Sequence, residues 1–89
     1  MIIQFATCER ARALDFIRRV YPTRTVDDSP ECAGPVLDLV ERDIVRIQDP
    51  LMYGPTIQVV PGVHWDESTR DEVASVCKRF VSSLTRAKT

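Results

Sequence analysis

Cysteine is scarce in this chain of 89 residues: Cys8, Cys32 and Cys77 are all it has, and no two form a C-x-x-C pair. An odd count without that spacing argues against a disulfide scaffold and against a four-ligand zinc site. It fits a compartment where thiols stay unpaired. Histidine occurs once, as His64, with no neighbouring His or Cys at ligand spacing. The three glycines make no phosphate-cradling loop, and no Ser-His-Asp arrangement stands out. Apolar runs are short, far from the ~20 residues a membrane span needs. The opening "MII" is likewise too short to read as a secretory signal. The expectation is a non-enzyme with no cofactor, no metal, no membrane span and no small-molecule substrate.

What is present describes one small folded domain. Apolar residues at 44% and charged residues at 28% are those of an ordinary soluble globular chain, not a disordered one. Residues 1–89 leave no room for a second core, and the last few are a candidate tail. Domain stabilities run to about 5–15 kcal/mol, and a chain this short belongs near the lower end. Burial of a surface in a larger assembly would help it.

The net charge of −1 hides an asymmetry. Residues 1–24 carry five arginines against Glu9 and Asp15, whereas residues 25–75 carry eleven acids against Arg42, Arg46 and Arg70. Residues 76–89 carry Lys78, Arg79, Arg86 and Lys88 and no acid. The sequence thus predicts an electrically two-sided molecule, a statement about partners and not about fold.

The run "IIQFA" at 2–6 reads as a strand, with Thr7 as the N-cap of a following helix. From Glu9 to Tyr21, Ala13, Leu14, Phe16, Ile17, Val20 and Tyr21 fall on one helical arc and Arg12, Asp15, Arg18 and Arg19 on the other. Pro22 must end that helix. Residues 23–35 are loop chemistry. In "VLDLVERDIVRIQ", Leu37, Val40, Ile44 and Ile47 fit a helical stripe, but five β-branched residues in thirteen favour strands over about 36–41 and 44–48. "DPLMYGP" is a break and "TIQVVPG" another strand. In the last helix Val73, Val76, Cys77, Phe80, Val81 and Leu84 make one buried face, capped by Ser68 or Thr69, with Asp71 and Glu72 at the positive end of its dipole. The order predicts an α/β domain: a small mixed sheet with both helices laid on it, any parallel crossover being right-handed.

Cys8 stands where a strand feeds a helix, a position that favours a thiolate. Dithiol exchange needs a resolving thiol, and position 11 is Ala11; Cys32 comes near only if its loop folds back. Cys8 therefore reads as inert or merely oxidisable, and Cys77 as core. The arginines carry more information. Arg12, Arg18 and Arg19 on the exposed helix face, with Arg24 beyond it and Lys78 and Arg79 on the last helix, are candidate contacts to RNA phosphates. The plainer alternative is a solvated face in which Asp15 pairs with Arg12 and Arg19, worth about 0.2–0.5 kcal/mol per pair. The Arg-rich start also has the character of a mitochondrial targeting helix, either an uncleaved internal signal or a coincidence, because the same residues build the fold.

"QF" at Gln4-Phe5, "ARALDFIRRVYP" at residues 11–22 and "GVHW" at Gly62 to Trp65 resemble a family of thioredoxin-like domains in mitochondria. That family includes several mitochondrial ribosomal proteins and the accessory subunit of respiratory complex I known as the B-eight subunit. The acidic middle and "DPLMYGP" have no counterpart in it. The resemblance implies a thioredoxin-like β-α-β-β-β-α domain with two main helices. It implies a structural constituent of the large ribosomal subunit in the mitochondrial matrix, serving translation through contacts with rRNA and other ribosomal proteins. An accessory subunit of complex I is the alternative on the same fold, and a small thiol oxidoreductase a third reading.

Overall fold

Apolar side chains at three- and four-residue spacing build helix α1, Arg10–Val20, with Ala13, Phe16 and Ile17 buried. The computed structural model describes residues 6–50 and 56–86. α1 stops ahead of Pro22, where Tyr21 caps it by donating its backbone N–H to the Ile17 carbonyl at 3.1 Å. The expected cap is different in kind. Thr7 belongs to strand β1, Ala6–Thr7, and its hydroxyl accepts the Glu9 N–H at 3.0 Å, while Glu9 is the N-cap residue and caps with no side-chain bond. Residues 2–5 of the expected first strand lie outside the described residues, as do 51–55 of "DPLMYGP" and the end of the tail from 87.

The main departure follows the loop. Residues 36–41 are not a strand but part of helix α2, Gly34–Glu41. Pro35 in the first turn presets helical φ. Ahead of it the loop is wound tightly by backbone bonds from Cys32 and Gly34 to the Ser29 carbonyl, at 3.0 and 2.9 Å. Val36, Leu37, Leu39 and Val40 are all buried, so the helix is enclosed on most of its circumference, and that burial overrides the β preference of its valines. α2 ends in a Schellman arrangement. Asp43 takes a left-handed φ of 55°, its N–H bonding to Val40 O at 2.9 Å and that of Ile44 to Leu39 O at 3.1 Å.

The chain turns directly from there into strand β2, Val45–Gln48, as expected, and later into β3, Val59–Pro61. The sheet order is β1-β2-β3 with both pairings antiparallel: Ala6 opposes Gln48, and Val45 opposes Pro61. The described sheet is therefore antiparallel, not mixed, and holds no parallel crossover whose hand could be examined. Among the described residues the element order is β-α-α-β-β-α, a mixed α/β arrangement with three α-helices. Thr7, Val45, Ile47 and Val59 share the sheet face that joins the helices' core, and Ala6, Arg46, Gln48 and Val60 share the other.

Asp66, not Ser68 or Thr69, organises the start of the last helix. Its carboxylate accepts the Ser68 N–H at 3.1 Å and its carbonyl the Thr69 hydroxyl at 2.7 Å, forming a short 3-10 turn, Glu67–Thr69, that runs into α3, Arg70–Arg86. Val73, Val76, Phe80 and Leu84 are buried as predicted and Cys77 partly so, but Val81 is 47% exposed. The buried arc of α3 is narrower than its apolar arc, because α3 packs chiefly on α2. α2 packs against both α1 and α3, and the Tyr21 and Phe80 rings meet edge-on at 6.2 Å to tie the end of α1 to α3.

Candidate interaction surfaces

The predicted cations are exposed or partly so, but they are not equivalent. Arg12 points to solvent, and among the described residues no carboxylate pairs with it. Arg19 is tied at both ends, to Asp15 at 2.9 Å and over the Phe16 ring at 5.6 Å. The pairing expected of Asp15 is thus realised towards Arg19. Arg18 donates from Nε to the Val26 carbonyl at 2.8 Å, which fixes its direction but leaves its charge uncompensated by that bond. Arg24 is half-buried just past α1. On α3, Lys78 and Arg79 are exposed and unpaired among the described residues. α2, carrying exposed Asp38 and Glu41, packs against both of the helices that bear these cations.

Sequence reasoning missed Arg10. Its guanidinium pairs with Asp28 of the loop and with Asp38 and Glu41 of α2, the last two at 2.8 and 3.1 Å. The hydrogen bond from Arg10 holds the Asp28 carboxyl below the usual carboxylate range, and Asp28 and then Asp38 push the arginine still further above its own. Part of the acidic middle therefore folds back onto the basic first helix, and the molecule is less two-sided than its sequence. Asp38 and Glu41 are three apart on a helix and share a face; that signal is visible only once residues 36–41 are read as helical.

A second charged node lies at the α2–β2 junction. Arg46 grips Asp43 through two bonds, Nε to Oδ1 at 3.0 Å and Nη2 to Oδ2 at 3.1 Å. The same Asp43 carbonyl accepts the His64 N–H at 2.8 Å, and Gly62 donates to Ile44 O at 2.9 Å. Arg46, followed by a backbone bond from Val63, holds the Asp43 carboxyl below its ordinary value. A Cβ on Gly62 would run into the Asp43 carbonyl and carboxylate, so only glycine allows this approach. His64 itself is exposed, and no group of three or more His, Cys, Asp or Glu among the described residues is placed to hold a metal ion.

All three cysteines are free thiols. Burial pushes the Cys77 thiol up, away from reactivity. Cys32 packs against the core and lines a groove of about 250 Å³ between its loop and α3. Cys8 follows β1, with Ala11 exposed in the first turn of α1. Among the described residues no helix is long and apolar enough to cross a membrane. Set beside known protein families, curated proteins and solved structures, the chain matches none of them.

Proposed function

We propose that the chain is a non-catalytic structural component of the mitochondrial large ribosomal subunit, working in the matrix. In this reading its helix-borne cations contact rRNA and the rest of its surface contacts neighbouring ribosomal proteins. One observation carries the RNA contact: Arg12 on α1 and Lys78 on α3 are exposed and, among the described residues, have no carboxylate partner, so their charge is left for a polyanion. Arg18, oriented by the Val26 carbonyl, extends the α1 row. The assembly is named by the resemblance of Gln4-Phe5, Arg12 to Ile17 and Gly62 to His64 to mitochondrial large-ribosomal-subunit protein fifty-three. Thioredoxin-like kinship belongs to the same proposal. It is supported by the closing order of an antiparallel β2–β3 pair and a final helix, and it has to accommodate the antiparallel pairing of β1.

α2, with Asp38 and Glu41 exposed, packs against both basic helices, so acid lies beside the cations that would meet RNA. The test is sedimentation of mitochondrial lysate containing the tagged chain. Co-migration with large-subunit rRNA is expected, reduced by Arg12→Glu combined with Lys78→Glu at an unchanged melting temperature. Co-migration with complex I in its place would transfer the chain to the second reading, an accessory subunit, which "DFIRRVYP" at Asp15 to Pro22 and Cys8 near the end of the first strand favour.

A further inference from the structure

The groove beside Cys32 has a composition the RNA reading does not use. Pro30, Cys32 and Pro35 form one wall, and Val76, Phe80 and Ser83 of α3 form the other, enclosing about 250 Å³. Glu31 stands on the loop wall and Arg79 on the helix wall, both exposed. They pair neither with each other nor with any other described residue. Opposite charges facing one apolar groove without closing across it leave space for an occupant that complements both.

Size and donors decide what the occupant is. Sites for cofactor-sized molecules run to about 300–1,000 Å³, so this groove suits a single anchoring side chain. The Ser83 hydroxyl already donates to the Phe80 carbonyl at 2.7 Å, and the Cys32 thiol points to the Thr25 carbonyl at 4.0 Å. Apart from Glu31 and Arg79, both exposed, the walls offer no free polar side chain, so the edge of a nucleobase seated between Val76, Phe80 and the prolines would find few partners there. An apolar side chain makes no such demand.

We propose that this groove docks a segment of a partner protein that presents one apolar side chain between an acidic and a basic residue. The acid faces Arg79, the base faces Glu31, and the apolar side chain lies against Val76, Phe80 and the two prolines. The assignment moves Arg79 from the RNA-facing set to a protein contact and does not depend on the rRNA reading.

The test titrates the full ¹⁵N-labelled chain with the blocked peptide Gly-Asp-Leu-Lys-Gly and its reversed order, Gly-Lys-Leu-Asp-Gly. Amide shifts centred on Cys32, Val76, Arg79 and Phe80 are expected, stronger for one order, together with slower alkylation of Cys32. Replacing either peptide charge by its amide, or using Arg79→Glu, should weaken binding about two- to five-fold, as for an exposed ion pair. Leucine to alanine in the peptide should abolish it. The charge-swapped chain, Glu31→Arg with Arg79→Glu, should prefer the other order. Equal binding of the neutral peptide, or no shift with either order, overturns the proposal. Shifts at these residues from a short uridine oligonucleotide but not from peptide would overturn it too, returning Arg79 to RNA. Those failures leave the rRNA reading standing, because it is read from sedimentation with Arg12 and Lys78.

Discussion

Arg10 and Arg46 both sit among carboxylates, but in different surroundings. Arg10 holds three acids whose side chains are 49–63% exposed, across a gap between α1, the loop and α2. Arg46 holds one acid in a two-pronged grip, with both side chains about a fifth exposed. That acid also carries a left-handed backbone and supports the approach of Gly62. The first node joins elements by charge that water and salt can reach. The second joins them by backbone geometry, with charge added. Ion pairs of similar length should therefore contribute quite different stabilities here.

The largest effect is expected where geometry and not charge is broken. Gly62→Ala should cost about 2–3 kcal/mol, since its Cβ has to displace the Asp43 backbone; the urea midpoint reads it. Asp43→Ala should follow at about 2 kcal/mol, from the strained φ and the unpaired Arg46. Asp43→Asn, which tolerates that φ, should cost less. pH sharpens the point. The folded carboxyl of Asp43 is depressed, so its contribution is complete above the ordinary carboxylate value of about 3.9 and is lost as pH falls below it through the lower folded value. Asp43→Asn should flatten the stability profile in that acid window. A profile as steep as the parent's would show that Asp43 does not titrate as the structure implies.

Arg10→Ala should cost about 1 kcal/mol, and most of that difference should vanish in 1 M salt, where the screening length falls to about 3 Å. If the cost persists in salt, the two nodes are alike after all. The smallest change is expected for Cys8→Ser, within about 0.5 kcal/mol by thermal melt, because no partner thiol faces it.

α1 and α3 were legible because each has one buried face and a contrasting solvent face, and β2 because its β-branched Val45 and Ile47 favour a strand. α2 was not, since its β-branched valines favour a strand and Val36, Leu37, Leu39 and Val40 leave only Asp38 and Glu41 to mark a solvent face, too short a stripe to settle the period. Its stop signal was hidden too: the left-handed position that usually announces itself as glycine is Asp43. Arg10 went unread as a consequence, because its partners Asp38 and Glu41 share a face only on the helix. The exposure of Arg12, Arg18, Arg19, Lys78 and Arg79 followed correctly from helical phase. That α2 packs against both of the helices carrying them is a tertiary fact that no local period encodes.

Pro61, at the end of β3, has a consequence for the company this domain keeps. Gln48 N–H bonds to Gln58 O and Gly62 N–H to Ile44 O, both at 2.9 Å, which fixes the alternation of the ladder. Pro61 opposite Val45 then falls at a site where the backbone of β3 turns away from β2. A proline there removes no bond from the sheet, yet it withdraws a donor from the outer margin, where a stray strand would seek one. Among the described residues nothing pairs with the outer side of this three-residue strand, and that side is a poor template for a second chain, so free copies are guarded against stacking into fibres.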